Sequence, residues 1–62
     1  MNHVRQILGY KVLFEPAWEG GFFCTVPGLP GCGSQGETEE ECAENVKDAI
    51  GAVLEVLDED RR

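Results

Sequence analysis

At 62 residues the chain holds one domain at most. A domain this small buries only about 60% of the surface its unfolded chain exposes, so a metal, a disulfide or a partner subunit commonly adds stability. Twelve acidic residues against five basic ones give a formal charge of −7; an acidic surface repels phosphate backbones, which argues against direct nucleic-acid binding.

No apolar run approaches the roughly 18 residues of a membrane span. The opening residues, Met1 to Gln6, lack the apolar core of a secretory signal. Three cysteines, Cys24, Cys32 and Cys42, are an odd number, where a secreted framework would normally pair them. A reduced compartment, the cytoplasm, is the simpler expectation. The charge is uneven. Residues 1–36 balance two bases with two acids, whereas residues 37–62 carry ten acids and three bases. That acidic half suits a basic protein partner, or simply solvates an exposed helix.

In chain order, Tyr10, Val12 and Phe14 alternate with Lys11, Leu13 and Glu15, the period-2 signal of a strand. Ile7 and Leu8 extend it, with Gly9 as a bulge. Pro16 ends it, because proline cannot donate to the ladder. Ala17-Trp18-Glu19-Gly20-Gly21 is a turn whose glycines supply positive φ angles. Phe22-Phe23-Cys24-Thr25-Val26 is a second strand, with Phe22, Cys24 and Val26 on one face and Phe23 and Thr25 on the other. Pro27-Gly28-Leu29-Pro30-Gly31 is a loop. Cys32-Gly33-Ser34-Gln35 is a short third strand, weakened by its glycine.

The second half is a helix from Glu39 to Leu57. Thr38 is its N-cap and Glu41 completes a capping box. Glu39, Glu40 and Glu41 favour the helix dipole. Cys42, Ala43, Val46, Ala49, Ile50, Val53, Leu54 and Leu57 form one apolar stripe. Glu40, Glu44, Lys47, Asp48, Gly51 and Glu55 form the opposite face. The segment after Leu57 is polar and expected to fray.

The expectation is an α+β fold: a small antiparallel three-stranded sheet with one long amphipathic helix on one face, β-β-β-α, forming a single domain over residues 1–62 with its ordered core at about residues 7–57. One helix covers only one sheet face. Leu13, Phe23 and Trp18 then fall on the uncovered side or its rim, a pattern that marks dimerisation or partner binding.

No catalytic constellation emerges. The lone His3 sits in a terminus expected to be solvated. Seven and nine residues separate the cysteines, against about two to four in structural zinc pairs. Cys24 and Cys42 read as small core hydrophobes, and Cys32, after a turn, as the most exposed thiol. The helix acids have no pocket to desolvate them. Gly28 to Gly33 lacks the Gly-Lys-Ser/Thr ending of a phosphate loop. No metal, no cofactor and no enzymatic activity are expected. An enzyme of the ribonuclease H kind would need converging carboxylates, and the strands offer only Glu15.

The order Gly20-Gly21-Phe22-Phe23, then Val26-Pro27-Gly28-Leu29-Pro30-Gly31-Cys32, then Ser34-Gln35-Gly36-Glu37-Thr38 with Glu40-Glu41-Cys42, then Asn45-Val46-Lys47-Asp48-Ala49-Ile50, resembles the HicB family of antitoxins over about residues 10–57. The resemblance implies a partial ribonuclease-H-like fold without nuclease activity. It implies binding to a small, generally basic ribonuclease toxin, HicA, and a homodimer or higher homo-oligomer. Gly20, Gly21, Pro27, Leu29, Pro30, Gly31, Cys32, Gly36 and Thr38 become the structural residues of the motif. Three departures stand out. The sequence to Arg62 holds no helix-turn-helix or ribbon-helix-helix segment such as many members use to bind operator DNA, so direct DNA binding is not expected. Cys42 stands where alanine is usual. The residues after Leu57 are too few and too charged for a further strand, which leaves a sheet edge open. The expected role is neutralisation of a toxin by steric masking, through Glu40, Glu44 and Asp48 on the helix or Trp18 and Phe23 at the sheet rim. The alternative is an orphan dimeric scaffold acting on another protein.

Overall fold

The computed structural model describes residues 3–60, with side chains through residue 57. Four strands and one helix follow in order: β1 (His3–Ile7), β2 (Tyr10–Pro16), β3 (Phe22–Thr25), β4 (Gly33–Gly36) and α1 (Glu39–Asp60). The strands form one antiparallel meander in the order β1-β2-β3-β4. The architecture is α+β with one helix, but the sheet has four strands where three were expected.

The added strand is N-terminal. Ile7 pairs with Tyr10, so Leu8 and Gly9 are not a bulged extension of β2. They are the two central residues of a hairpin turn, with φ of 53° and 84°. Positive φ at both positions is the geometry that matches strand twist in a two-residue hairpin. Gly9 adopts it freely, whereas Leu8 does so against the Cβ penalty of about 1–2 kcal/mol. A leucine in place of the usual Asn or Asp is why the hairpin is hard to recognise. His3, expected in a solvated terminus, lies in β1 opposite Phe14.

The β2–β3 turn follows the sequence more closely. Gly20 N–H donates to Ala17 O and Ala17 N–H to Gly21 O, both at 3.0 Å, and Gly20 and Gly21 have φ of 104° and 77°. The loop from Pro27 to Gly31 is two stacked turns. Leu29 N–H donates to Val26 O at 3.0 Å and Cys32 N–H to Leu29 O at 2.9 Å. In the second, Pro30 supplies the fixed φ and Gly31 the positive one, 86°, as a type II turn requires. Val26 N–H then donates to Cys32 O at 3.1 Å and closes the neck of the loop. This closure turns Cys32 inward. It is 9% exposed and part of the core, not the exposed thiol its position after a turn suggested.

Helix α1 packs chiefly on β4 and β3. Thr38 Oγ1 accepts from Glu41 N–H at 3.1 Å, as expected of the N-cap. Glu41 Oε1 accepts from Glu37 N–H at 3.1 Å, one residue before the reciprocal capping-box donor. Gly36 decides how close the helix comes. A Cβ there would lie 2.6 Å from Cys42 N and 3.0 Å from Glu41 C, so only a bare backbone lets the first turn rest on β4. Gly51, by contrast, has nothing within 4 Å of where a Cβ would be.

The core lies between the helix and one sheet face: Val12, Phe14, Cys24, Val26, Cys32, Cys42, Ala43, Val46 and Ile50. Each large apolar side chain buried there contributes about 1.5–3 kcal/mol. The helix is longer than the sheet it covers. Its 22 residues span roughly 33 Å at 1.5 Å per residue, and the molecule measures 42 × 16 × 16 Å. The apolar stripe therefore outruns its partner: Val53 and Leu54 are half-buried and Leu57 is 48% exposed.

Candidate functional site

Two surfaces carry the residues singled out in the sequence, and they lie on different sides of the molecule. The first is the outward face of α1. Glu40, Glu44 and Asp48 recur every four residues on one helical line and are exposed. They span roughly 12 Å along the axis. Lys47 is the basic residue beside them. Glu40 is less free than its neighbours, because Arg5 Nη1 sits 3.3 Å from its Oε1.

That contact belongs to a small charge cluster joining β1 to the first turn of the helix. His3 Nδ1 lies 2.6 Å from Glu39 Oε1, and Arg5 Nη1 lies 3.4 Å from Glu39 Oε2. The Arg5 guanidinium also stands over the Phe14 ring, 5.6 Å from its centre, within cation–π range. Glu39, Arg5 and His3 thus hold elements together, and among the described residues Glu44, Asp48 and Glu55 on the outward face make no ion pair.

The second surface is the sheet face turned away from the helix. Register places Val4 beside Leu13 and Leu13 beside Thr25, with Phe23 between Glu15 and Gln35 in the neighbouring row. Val4 is 57% exposed, Phe23 40% exposed and Leu13 half-buried. Val4 was missed in the sequence because β1 was. Trp18, almost wholly exposed at 97%, projects from the β2–β3 turn. Phe23 and Trp18 therefore do not join the acidic helix line in one patch.

Between the two surfaces, along the outer edge of β4, runs an open groove of about 750 Å³. Glu19, Phe23, Gln35, Glu37, Glu41 and Asn45 are among its lining residues. Asn45 Nδ2 donates to Gln35 O at 2.8 Å, so a helix side chain takes up a carbonyl of this edge strand. None of Glu19, Glu37, Glu41 or Asn45 was singled out as a contact residue. Glu37, Glu41 and Asn45 fall within the family motif, but the motif does not mark them as contact residues, and an asparagine inside a helix, where its propensity is poor, is the further signal.

Among the described residues, no group of three or more His, Cys, Asp or Glu side chains converges as a metal site would require. No helix among the described residues is long and apolar enough to cross a membrane. The motif residues Pro27, Leu29, Pro30, Gly31 and Cys32 build the double turn, Gly20 and Gly21 the β2–β3 turn, and Gly36 and Thr38 seat and cap the helix.

The chain belongs to the family described as HicB-like antitoxins of bacterial toxin–antitoxin systems, whose model matches residues 10–62. Strand β1 lies ahead of the matched stretch. Among its relatives, a UPF0150 protein of Synechocystis is 43% identical over 53 residues, covering 86% of this chain and 67% of that protein. A UPF0150 protein of Thermoplasma acidophilum is 42% identical over 48 residues, 77% of this chain and 70% of the relative. Antitoxin HicB 1 of Photorhabdus laumondii is 41% identical over 51 residues, which cover 82% of this chain but 33% of that longer protein. No solved structure matches the chain.

Proposed function

We propose that this chain is a non-catalytic antitoxin that binds and neutralises a small basic ribonuclease toxin of the HicA type by covering its RNA-binding surface. The observation that carries this reading is the exposed acidic line of α1, Glu40, Glu44 and Asp48, on a domain of the antitoxin family. A row of like charges on a rigid helix steers a basic partner and fixes its register. The same charge disfavours nucleic acid as a direct partner. Trp18 and Phe23 supply the aromatic area that protein interfaces favour. Three unpaired cysteines support a reducing, cytoplasmic setting.

The test is an RNA-cleavage assay on a small basic HicA-type toxin, with and without this chain. The wild type should stop cleavage. The triple variant Glu40→Lys, Glu44→Lys, Asp48→Lys should bind at least roughly tenfold more weakly. Unchanged affinity of that variant in low salt removes the helix as the contact surface.

A second reading is a dimeric scaffold without a toxin partner. It is favoured by the apolar residues left uncovered at Val4, Phe23, Val56 and Leu57, which together suit a homodimer. A monomeric mass in solution at high concentration counts against it.

A further inference from the structure

We propose that Cys24 and Cys42 are a latent disulfide pair, an oxidative modification site that clamps the first turn of α1 to the sheet. The two residues are 18 positions apart, on β3 and α1, and the Cys42 thiol donates to Cys24 Sγ at 3.0 Å. A disulfide needs roughly 1 Å of further approach.

The approach is built from the backbone. Cys24 pairs with Ser34 across β3 and β4. Two residues further on, the bare Gly36 backbone lets Cys42 N come as close as it does. The first turn of α1 therefore rests on β4, next to the strand that carries Cys24. Ser34 O accepts from both thiols, at 3.6 Å from Cys24 Sγ and 3.9 Å from Cys42 Sγ. Cys32 is not among these contacts, and so stands outside the pair.

Both sulfurs are buried, Cys24 at 2% and Cys42 at 0% exposure. The oxidant must be small, and hydrogen peroxide is the class that fits. Burial and the adjacent Cys24 push the Cys42 thiol up to about 12, which slows reaction while the pair stays closed. One of the two sulfurs attacks a peroxide oxygen, the O–O bond breaks, and that cysteine becomes a sulfenic acid with release of water. The other sulfur then attacks the oxidised one, the S–O bond breaks, and the leaving oxygen takes the attacking thiol's proton as a second water. Two thiols and one peroxide become one disulfide and two waters. Entry needs the first turn of α1 to lift from β4, so reaction is slow in the folded protein and the product prevents that lifting.

The experiment treats the full chain with hydrogen peroxide, blocks remaining thiols by alkylation, and maps peptides by mass spectrometry. The expected result is a monomer about 2 Da lighter before alkylation and, after it, a Cys24–Cys42 linked peptide with Cys32 alkylated. Its melting temperature should rise on the order of 10 °C and fall back with reductant, because the link constrains the unfolded chain. Cys32→Ser should react like the wild type, and Cys42→Ala should form no such link. A link that includes Cys32, a link between two chains, or retention of all three thiols after peroxide treatment prolonged well past the time in which the amides of the first turn of α1 exchange with solvent would overturn the proposal. So would a lower melting temperature for the linked form.

Discussion

Gly36→Ala tests the seat of the helix on the sheet. The new Cβ would lie 2.6 Å from Cys42 N and 3.0–3.1 Å from Glu41 C and Cys42 Cα. All three are backbone atoms of a capped first turn, so none can swing aside as a side-chain tip would. Gly36 has no positive φ, so alanine at this position gains about 0.4–1 kcal/mol from a less disordered unfolded chain. Overpacking against backbone costs about 1–3 kcal/mol or more, and therefore wins. A chain of 62 residues holds roughly 3–9 kcal/mol in all at 0.05–0.15 kcal/mol per residue. With a urea m-value of about 1 kcal/mol per molar, the unfolding midpoint should drop by up to roughly 1–2 M. Gly51→Ala is the internal control. It fills open space within the helix and should stabilise by about 1 kcal/mol. A neutral or stabilising Gly36→Ala, measured beside a stabilising Gly51→Ala, would mean that α1 does not rest on β4.

Other outcomes follow from the same packing. Leu8→Asn should stabilise by up to about 1 kcal/mol, read by urea titration, since Leu8 is half exposed at φ 53° and asparagine tolerates that region better. Phe14→Ala removes a large, fully buried side chain, at a cost of about 3–5 kcal/mol, and circular dichroism should show a chain largely unfolded near 37 °C. Cys42 is raised from 9.0 to about 12, so its contribution is intact below pH 9 and lost as pH rises toward 12, by up to about 1.4 kcal/mol per pH unit. Cys42→Ala should flatten that part of the stability profile.

Much of the fold is legible because pattern and turn chemistry agree. Alternation at Val12 and Phe14, and at Phe22, Cys24 and Val26, puts the right residues toward the helix, and the 3.6-residue stripe through Val46 and Ile50 finds the opposing face. Strand β1 is hidden for a definable reason. His-Val-Arg-Gln-Ile is mostly polar, and the turn that would announce it has leucine where positive φ favours Asn, Asp or Gly. Its Arg5 lies on the covered face, which a period-2 reading assigns to apolar residues. Its guanidinium stands over the Phe14 ring and reaches Glu39 and Glu40 at the rim of the core. Cys32 is misread for a related reason: loops lie at the surface as a rule, but the hydrogen bond between Val26 and Cys32 draws this residue back into the core.

The candidate contact surfaces were legible as residues but not as a geometry. Charge pattern picks out Glu40, Glu44 and Asp48 equally, yet Arg5 engages the first of them. An exposed ion pair of this kind is worth only about 0–1 kcal/mol. Arg5→Ala also loses the Glu39 pair and the contact with the Phe14 ring, so it should cost about 1–2 kcal/mol while making the acidic line more negative by one charge. If the helix meets a basic partner, that substitution should speed association and steepen its salt dependence, whereas Phe23→Ala should act mainly on dissociation. Because the helix line and Phe23 lie on opposite layers of the molecule, a single small partner can press fully against only one. The variant that moves the dissociation rate identifies that layer, and the other remains available to a second copy of the chain.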